Sequence, residues 1–111
     1  MHELGLCEAI VGAIEKRAKD RPVARVRVRV GALHHVHPEA FDQSFQVAAM
    51  GSVAEDASAD LVLIPAAGQC RACGASFEAL DPLSACPKCG ELDVVMSGGD
   101  ELVLESIEYR A

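Results

Sequence analysis

Four of the five cysteines fall into two Cys-x-x-Cys-Gly knuckles, Cys70-Arg71-Ala72-Cys73-Gly74 and Cys86-Pro87-Lys88-Cys89-Gly90, with twelve residues between Cys73 and Cys86. A two-residue gap lets both thiolates of a knuckle reach one ion while backbone N–H groups point at the sulfurs and spread their charge. A glycine after each second cysteine suits a chain that must turn back through positive φ. Two such knuckles close a tetrahedral four-sulfur site, and the spacing points to one structural Zn2+ held by Cys70, Cys73, Cys86 and Cys89. Iron is the rival, because rubredoxin-type electron carriers use very similar knuckles. The four sulfurs leave no open coordination position, which argues against catalysis at this metal.

The second constellation is at the N-terminus, Met1-His2-Glu3. The α-amine of Met1, the backbone amide of His2 and its imidazole can form two fused chelate rings in one plane. Planar nitrogen coordination favours Ni(II) or Cu(II) over zinc. The bulk of His2 opposes removal of Met1, so the amine is expected in place. The plainer reading is a solvated histidine. His34, His35 and His37 cluster further along. They read either as a polar loop, with His37 capping a helix, or as a further donor to the N-terminal metal, with His37 foremost. Cys7 lies among apolar residues at helical spacing and reads as a small buried thiol.

The elements that must position these groups follow from periodicity. Leu6, Cys7, Ile10, Val11, Ile14 and Ala18 predict a helix from about Leu4 to Lys19, ended by Asp20-Arg21-Pro22. Val23 to Val30 alternates strictly and predicts a half-buried strand whose other face carries Arg25, Arg27 and Arg29. That face reads as solvated or salt-bridged. His37-Pro38-Glu39 opens a second helix with Phe41 and Phe45 on its inner side. Ala59–Pro65 reads as a strand. Val94-Val95-Met96, then Ser97-Gly98-Gly99-Asp100, then Leu102 to Tyr109 read as a strand, a tight turn and a closing strand. The expected fold is α+β, two helices packed on a small mixed three-stranded sheet with an inserted zinc-ribbon-like module of four cysteines. Residues 1–65, completed by 95–111, form the α/β domain, and 66–94 the zinc-binding insert.

With 111 residues the chain can bury only a modest core, so a metal staple for one part of it makes physical sense. The formal charge of −7 argues against a nucleic-acid adaptor, the second rival built on a zinc ribbon. No apolar run approaches a membrane span and no basic segment precedes an apolar one at the N-terminus, so a reducing cytoplasm is the expected compartment. No nucleophile–base pair or phosphate loop supports an enzyme.

Met1-His2-Glu3-Leu4, Val30-Gly31-Ala32-Leu33, Pro38-Glu39-Ala40-Phe41, Gly51-Ser52-Val53-Ala54-Glu55 and the two knuckles together resemble the HypA family, the nickel-incorporation metallochaperones of [NiFe]-hydrogenase maturation. The resemblance extends to Glu101-Leu102-x-Leu104-x-x-Ile107-Glu108 and so covers the whole chain. It implies transient Ni2+ bound through the N-terminal amine, His2 and nearby backbone nitrogen, with Glu3 also required. It further implies a structural Zn2+, and partners in a HypB-type nickel GTPase, the hydrogenase large subunit and, in some organisms, urease maturation proteins. The chain departs from the family at His34-His35-Val36-His37, where many members carry a small residue and glycine near positions 34 and 35.

Overall fold

The computed structural model describes residues 2–81 and 84–111, with side chains from Glu3 onward. The order is α1 (His2–Ala18), β1 (Val23–Gly31), a 3-10 turn (Ala32–His34), α2 (Pro38–Ala48), β2 (Ser58–Ile64), β3 (Ala66–Cys70), β4 (Ser76–Ala79), β5 (Val94–Ser97) and β6 (Leu102–Tyr109). The chain divides into two compact units. The first comprises Met1–Arg29, Val36–Val62 and Val103–Ala111, and the second Val30–His35 and Leu63–Leu102.

The first unit is built as its periodicities require. Cys7, Ile10, Val11, Ile14 and Ala18 form one buried stripe of α1. The helix stops where Lys19 and Asp20 turn left-handed at φ 49° and 72°, just ahead of Pro22. Along β1, Val26 and Val28 are buried while Arg25 and Arg27 are exposed, the alternation of a half-buried strand. Arg25 pairs with Asp60 at 3.7 Å, and Arg27 and Arg29 with Glu105 at 3.7 and 3.8 Å, so this face is salt-bridged as the sequence suggests. Pro38 takes the first turn of α2, where its missing N–H costs nothing, and Phe41 and Phe45 stack inward with ring centroids 6.5 Å apart.

The strands form two three-stranded sheets, β2-β1-β6 and β4-β3-β5. Here the structure departs from the hairpin that Val94–Met96 and the closing strand suggest. β5 pairs antiparallel with β3, in a register that sets Cys70 opposite Val94 and Gly68 opposite Met96. Its partner is chosen by the need to bring the exit of the second knuckle beside the entry of the first. The compact second unit takes in residues 30–35 and 63–102.

Gly31 explains part of that grouping. Its N–H donates to the Glu101 carbonyl at 2.8 Å and the Leu33 N–H to the Gly99 carbonyl at 2.8 Å, while a Cβ on Gly31 would collide with the Gly99 carbonyl. That obstacle is backbone and cannot rotate away. Gly31→Ala is therefore expected to destabilise the protein by about 1–3 kcal/mol, the usual scale of overpacking. Urea unfolding followed at the second unit measures it, and an unchanged midpoint would refute the packing described.

Candidate metal centre

β3 ends at Cys70, so the first knuckle begins where a paired strand fixes the backbone. The Cys70 N–H then donates to the Ala75 carbonyl and the Gly74 N–H to the Cys70 carbonyl, both at 2.8 Å. The second knuckle repeats the arrangement. The Cys86 N–H donates to the Glu91 carbonyl at 2.9 Å and the Gly90 N–H to the Cys86 carbonyl at 2.8 Å. Gly74 and Gly90 each sit at φ 80°, the left-handed conformation that the sequence position suggests.

The two turns bring four sulfurs together, all within 4.8 Å of one another. Cys70 and Cys89 sulfurs lie 3.5 Å apart, Cys73 and Cys86 sulfurs 3.7 Å apart. A tetrahedron with metal–sulfur bonds of about 2.3 Å has edges of about 3.8 Å, so the cluster fits one ion of zinc size with little adjustment. Cys70 and Cys86 are buried, Cys73 and Cys89 exposed, so each knuckle contributes an inner and an outer ligand.

Backbone N–H groups do point at the sulfurs. The Cys73 N–H lies 3.4 Å from the Cys70 sulfur. At Cys86 the Cys89 N–H is the largest influence, helped by that of Lys88, and they draw the thiol down to about 6 against desolvation. At Cys89 the Glu91 N–H pulls the same way, but desolvation and the hydrogen bonds with the other three sulfurs carry the thiol up to about 12. The four thiols hold their protons as one interacting cluster, and a divalent cation displaces those protons on binding.

Cys7 takes no part. Its buried sulfur lies 3.5 Å from the Phe41 carbonyl, and burial, then the charge of Glu3, push its thiol up to about 11. It is an inert core residue, as its helical position suggests.

Met1 and the His2 side chain lie outside the described residues. The backbone of His2 begins α1, and Glu3 stands in its first turn. The Glu3 Oε2 accepts the backbone N–H of His37 at 3.4 Å, so the starts of α1 and α2 are tied together within the first unit. His37 occupies the position before α2 but its side chain makes no capping bond. The other two histidines bond within the second unit: His34 Nε2 to the Asp100 carbonyl at 3.0 Å, and His35 Nδ1 3.8 Å from Asp81 Oδ1. His35 adopts φ 51°, uncommon outside glycine. Sequence reasoning missed Asp81 and Asp100 as partners, since neither stands near a histidine in the chain.

The family model described as hydrogenase/urease nickel incorporation, metallochaperone, hypA matches residues 1–109. The chain belongs to the HypA family. Among curated relatives, Hydrogenase maturation factor HypA 2 of Bradyrhizobium diazoefficiens is 37% identical, the match covering 97% of this chain and 98% of that one. The HypA of Methylocella silvestris is 35% identical over 99% and 100% of the two chains. The solution structure of the Ni metallochaperone HypA from Helicobacter pylori superposes with a TM-score of 0.64 at 29% identity, covering 100% and 99%. These relatives carry the names of maturation factors, and the full-length match places the chain with metallochaperones rather than with electron carriers or nucleic-acid adaptors. Among the described residues, no helix is long and apolar enough to cross a membrane.

Proposed function

We propose that this HypA chain carries Ni(II) at its N-terminus and delivers it for [NiFe]-hydrogenase maturation in the cytoplasm, with zinc resident in the Cys70-Cys73-Cys86-Cys89 site. The nickel donors are the Met1 amine, the amide and imidazole of His2, and the backbone nitrogen of Glu3, with the His37 imidazole as an additional donor. The recipients are a HypB-type nickel GTPase and, beyond it, the hydrogenase large subunit, with urease maturation proteins as further clients. Zinc is the occupant proposed for the four-thiolate site, with colourless zinc-loaded protein as the corresponding result and a red iron-loaded protein as the contrary one.

The observation that carries this reading is the bond from the His37 N–H to Glu3 Oε2. It supports a Glu3 that organises the first turn of α1 rather than one merely solvated, and it ties the backbone of His37 to that turn. The first N–H groups of an α-helix have no partner within the helix, so metal binding through the His2 and Glu3 amides breaks no helical hydrogen bond. Few protein donors on a chain end also let nickel leave one ligand at a time.

Nickel titration with the d–d spectrum as readout tests the donor set. His37→Ala is expected to shift the spectrum and weaken binding about tenfold, or about 1.4 kcal/mol. Unchanged spectrum and affinity would remove His37 from the site. Protons compete for the amine, which titrates near about 8, and for the imidazole, near about 6.5. Apparent affinity should therefore drop by about a hundredfold or more from pH 7.5 to 5.5, because both donors become protonated. A flat profile by calorimetry would show that nitrogen donors of this kind are not used.

A further inference from the structure

The end of α2 and the turn after it surround a cavity of about 560 Å³ in the first unit, within the range of ligand and side-chain pockets. Val47 and Met50 line it and remain 58% and 68% exposed, although the neighbouring Phe45 and Ala49 are fully packed. Methionine is the side chain that most readily adapts to a partner's shape. Glu55 and Asp56 also line it, Gln43 and Gln46 complete the polar lining, and no basic side chain lines it.

The two carboxylates differ from the acids of β2 and β6 that face β1. Asp60, Glu105 and Glu108 are each paired with an arginine of β1. Among the described residues, Glu55 and Asp56 belong to no ion pair. Glu55 Oε2 accepts the Gly51 N–H at 3.2 Å, which orients its carboxylate at the rim. Arg110, the nearby cation, donates to the Asp56 carbonyl rather than pairing with its carboxylate. An apolar floor beside two uncompensated negative charges complements a segment with an apolar anchor flanked by lysine or arginine.

We infer that this cavity is a docking site for a basic, apolar-anchored segment of a partner protein. The site is separate from the four cysteines and from the proposed nickel donors, so it stands whether or not nickel binds at the N-terminus. The apolar anchor rests on Val47 and Met50, and the flanking cations meet Glu55 and Asp56. Charge attraction speeds the encounter and weakens with salt, while the anchor supplies specificity.

The test uses the full zinc-loaded chain and a synthetic twelve-residue peptide with two leucines flanked by four lysines, followed by calorimetry and amide NMR. Shift changes are expected to concentrate in residues 43–57. Val47→Ser with Met50→Ser, and separately Glu55→Lys with Asp56→Lys, should each weaken binding at least tenfold. The charge-matched pair Glu8→Lys with Glu15→Lys should change it less than twofold. Absent binding, shifts elsewhere, or equal weakening by the charge-matched pair would overturn the inference. So would unchanged affinity when serine replaces both leucines of the peptide, or equal binding of lysine amide alone, which would mark a small-ligand site.

Discussion

Cys86→Ser is expected to empty the four-sulfur site and unfold the second unit while the first unit keeps its helices. Cys86 is the inner ligand of its knuckle, and the N–H groups of Cys89 and Lys88 favour its thiolate. A hydroxyl at that position supplies no anion and no soft donor, and three sulfurs leave the ion open to water. The second unit has little else to hold it. Its buried apolar residues are mainly Val30, Ala32, Ala66 and Ala79 with the two inner cysteines. Phe77 packs over Gly68, where a Cβ would come within 2.6 Å of the ring, but it is only half-buried. Structural zinc in small modules supplies on the order of 10 kcal/mol of folding free energy at neutral pH, far more than such a core. Zinc content and amide-exchange protection of residues 63–102 are the measurements. Helical circular dichroism from α1 and α2 should persist, because their core of Ile14, Phe41 and Phe45 lies in the first unit. Retained zinc with full protection would mean that the module is held by packing and not by the metal.

The elements of the first unit are legible in the sequence because each has a period. The stripe from Cys7 to Ala18 repeats at helical spacing, and the valines of β1 alternate with arginines. The partner of β5 is not legible, because a four-residue apolar run carries no mark of which strand it joins. Ser97-Gly98-Gly99-Asp100 has the composition of a hairpin turn, and both glycines do adopt positive φ, 67° and 71°. The turn nevertheless leads from one sheet to the other. Metal closure, a constraint between residues 70 and 89, decides the pairing of β3 with β5. In the same way nothing in Val30-Gly31-Ala32 announces that Gly31 is pressed against the backbone of Gly99.

The cysteine cluster is readable almost completely, since spacing within a knuckle fixes its geometry through local turns. The N-terminal constellation is readable only as a set of donors. Its link to His37 spans 34 positions and consists of one side-chain oxygen and one backbone N–H, a contact that leaves no pattern in either segment. The three histidines look like one group in the chain, yet His34 and His35 bond to Asp100 and Asp81 while His37 meets Glu3 through its backbone. Three imidazoles close together in sequence are therefore not one ligand set in space.

Adding an N-acetylated glycine before Met1 is expected to abolish nickel binding while leaving zinc in place. The extension converts the Met1 amine into a peptide nitrogen, and the acetyl cap removes the new α-amine that would otherwise chelate with the His2 imidazole through two amide nitrogens. Glu3, His37 and the four cysteines keep their positions, so stability and zinc content should not change. Metal analysis of the native and extended proteins after equilibration with equal nickel and zinc reads both sites at once. One zinc per chain is expected in both proteins, with one nickel in the native chain and essentially none in the extended one. Equal nickel in the two proteins would contradict N-terminal carriage and place the cargo site elsewhere in the chain.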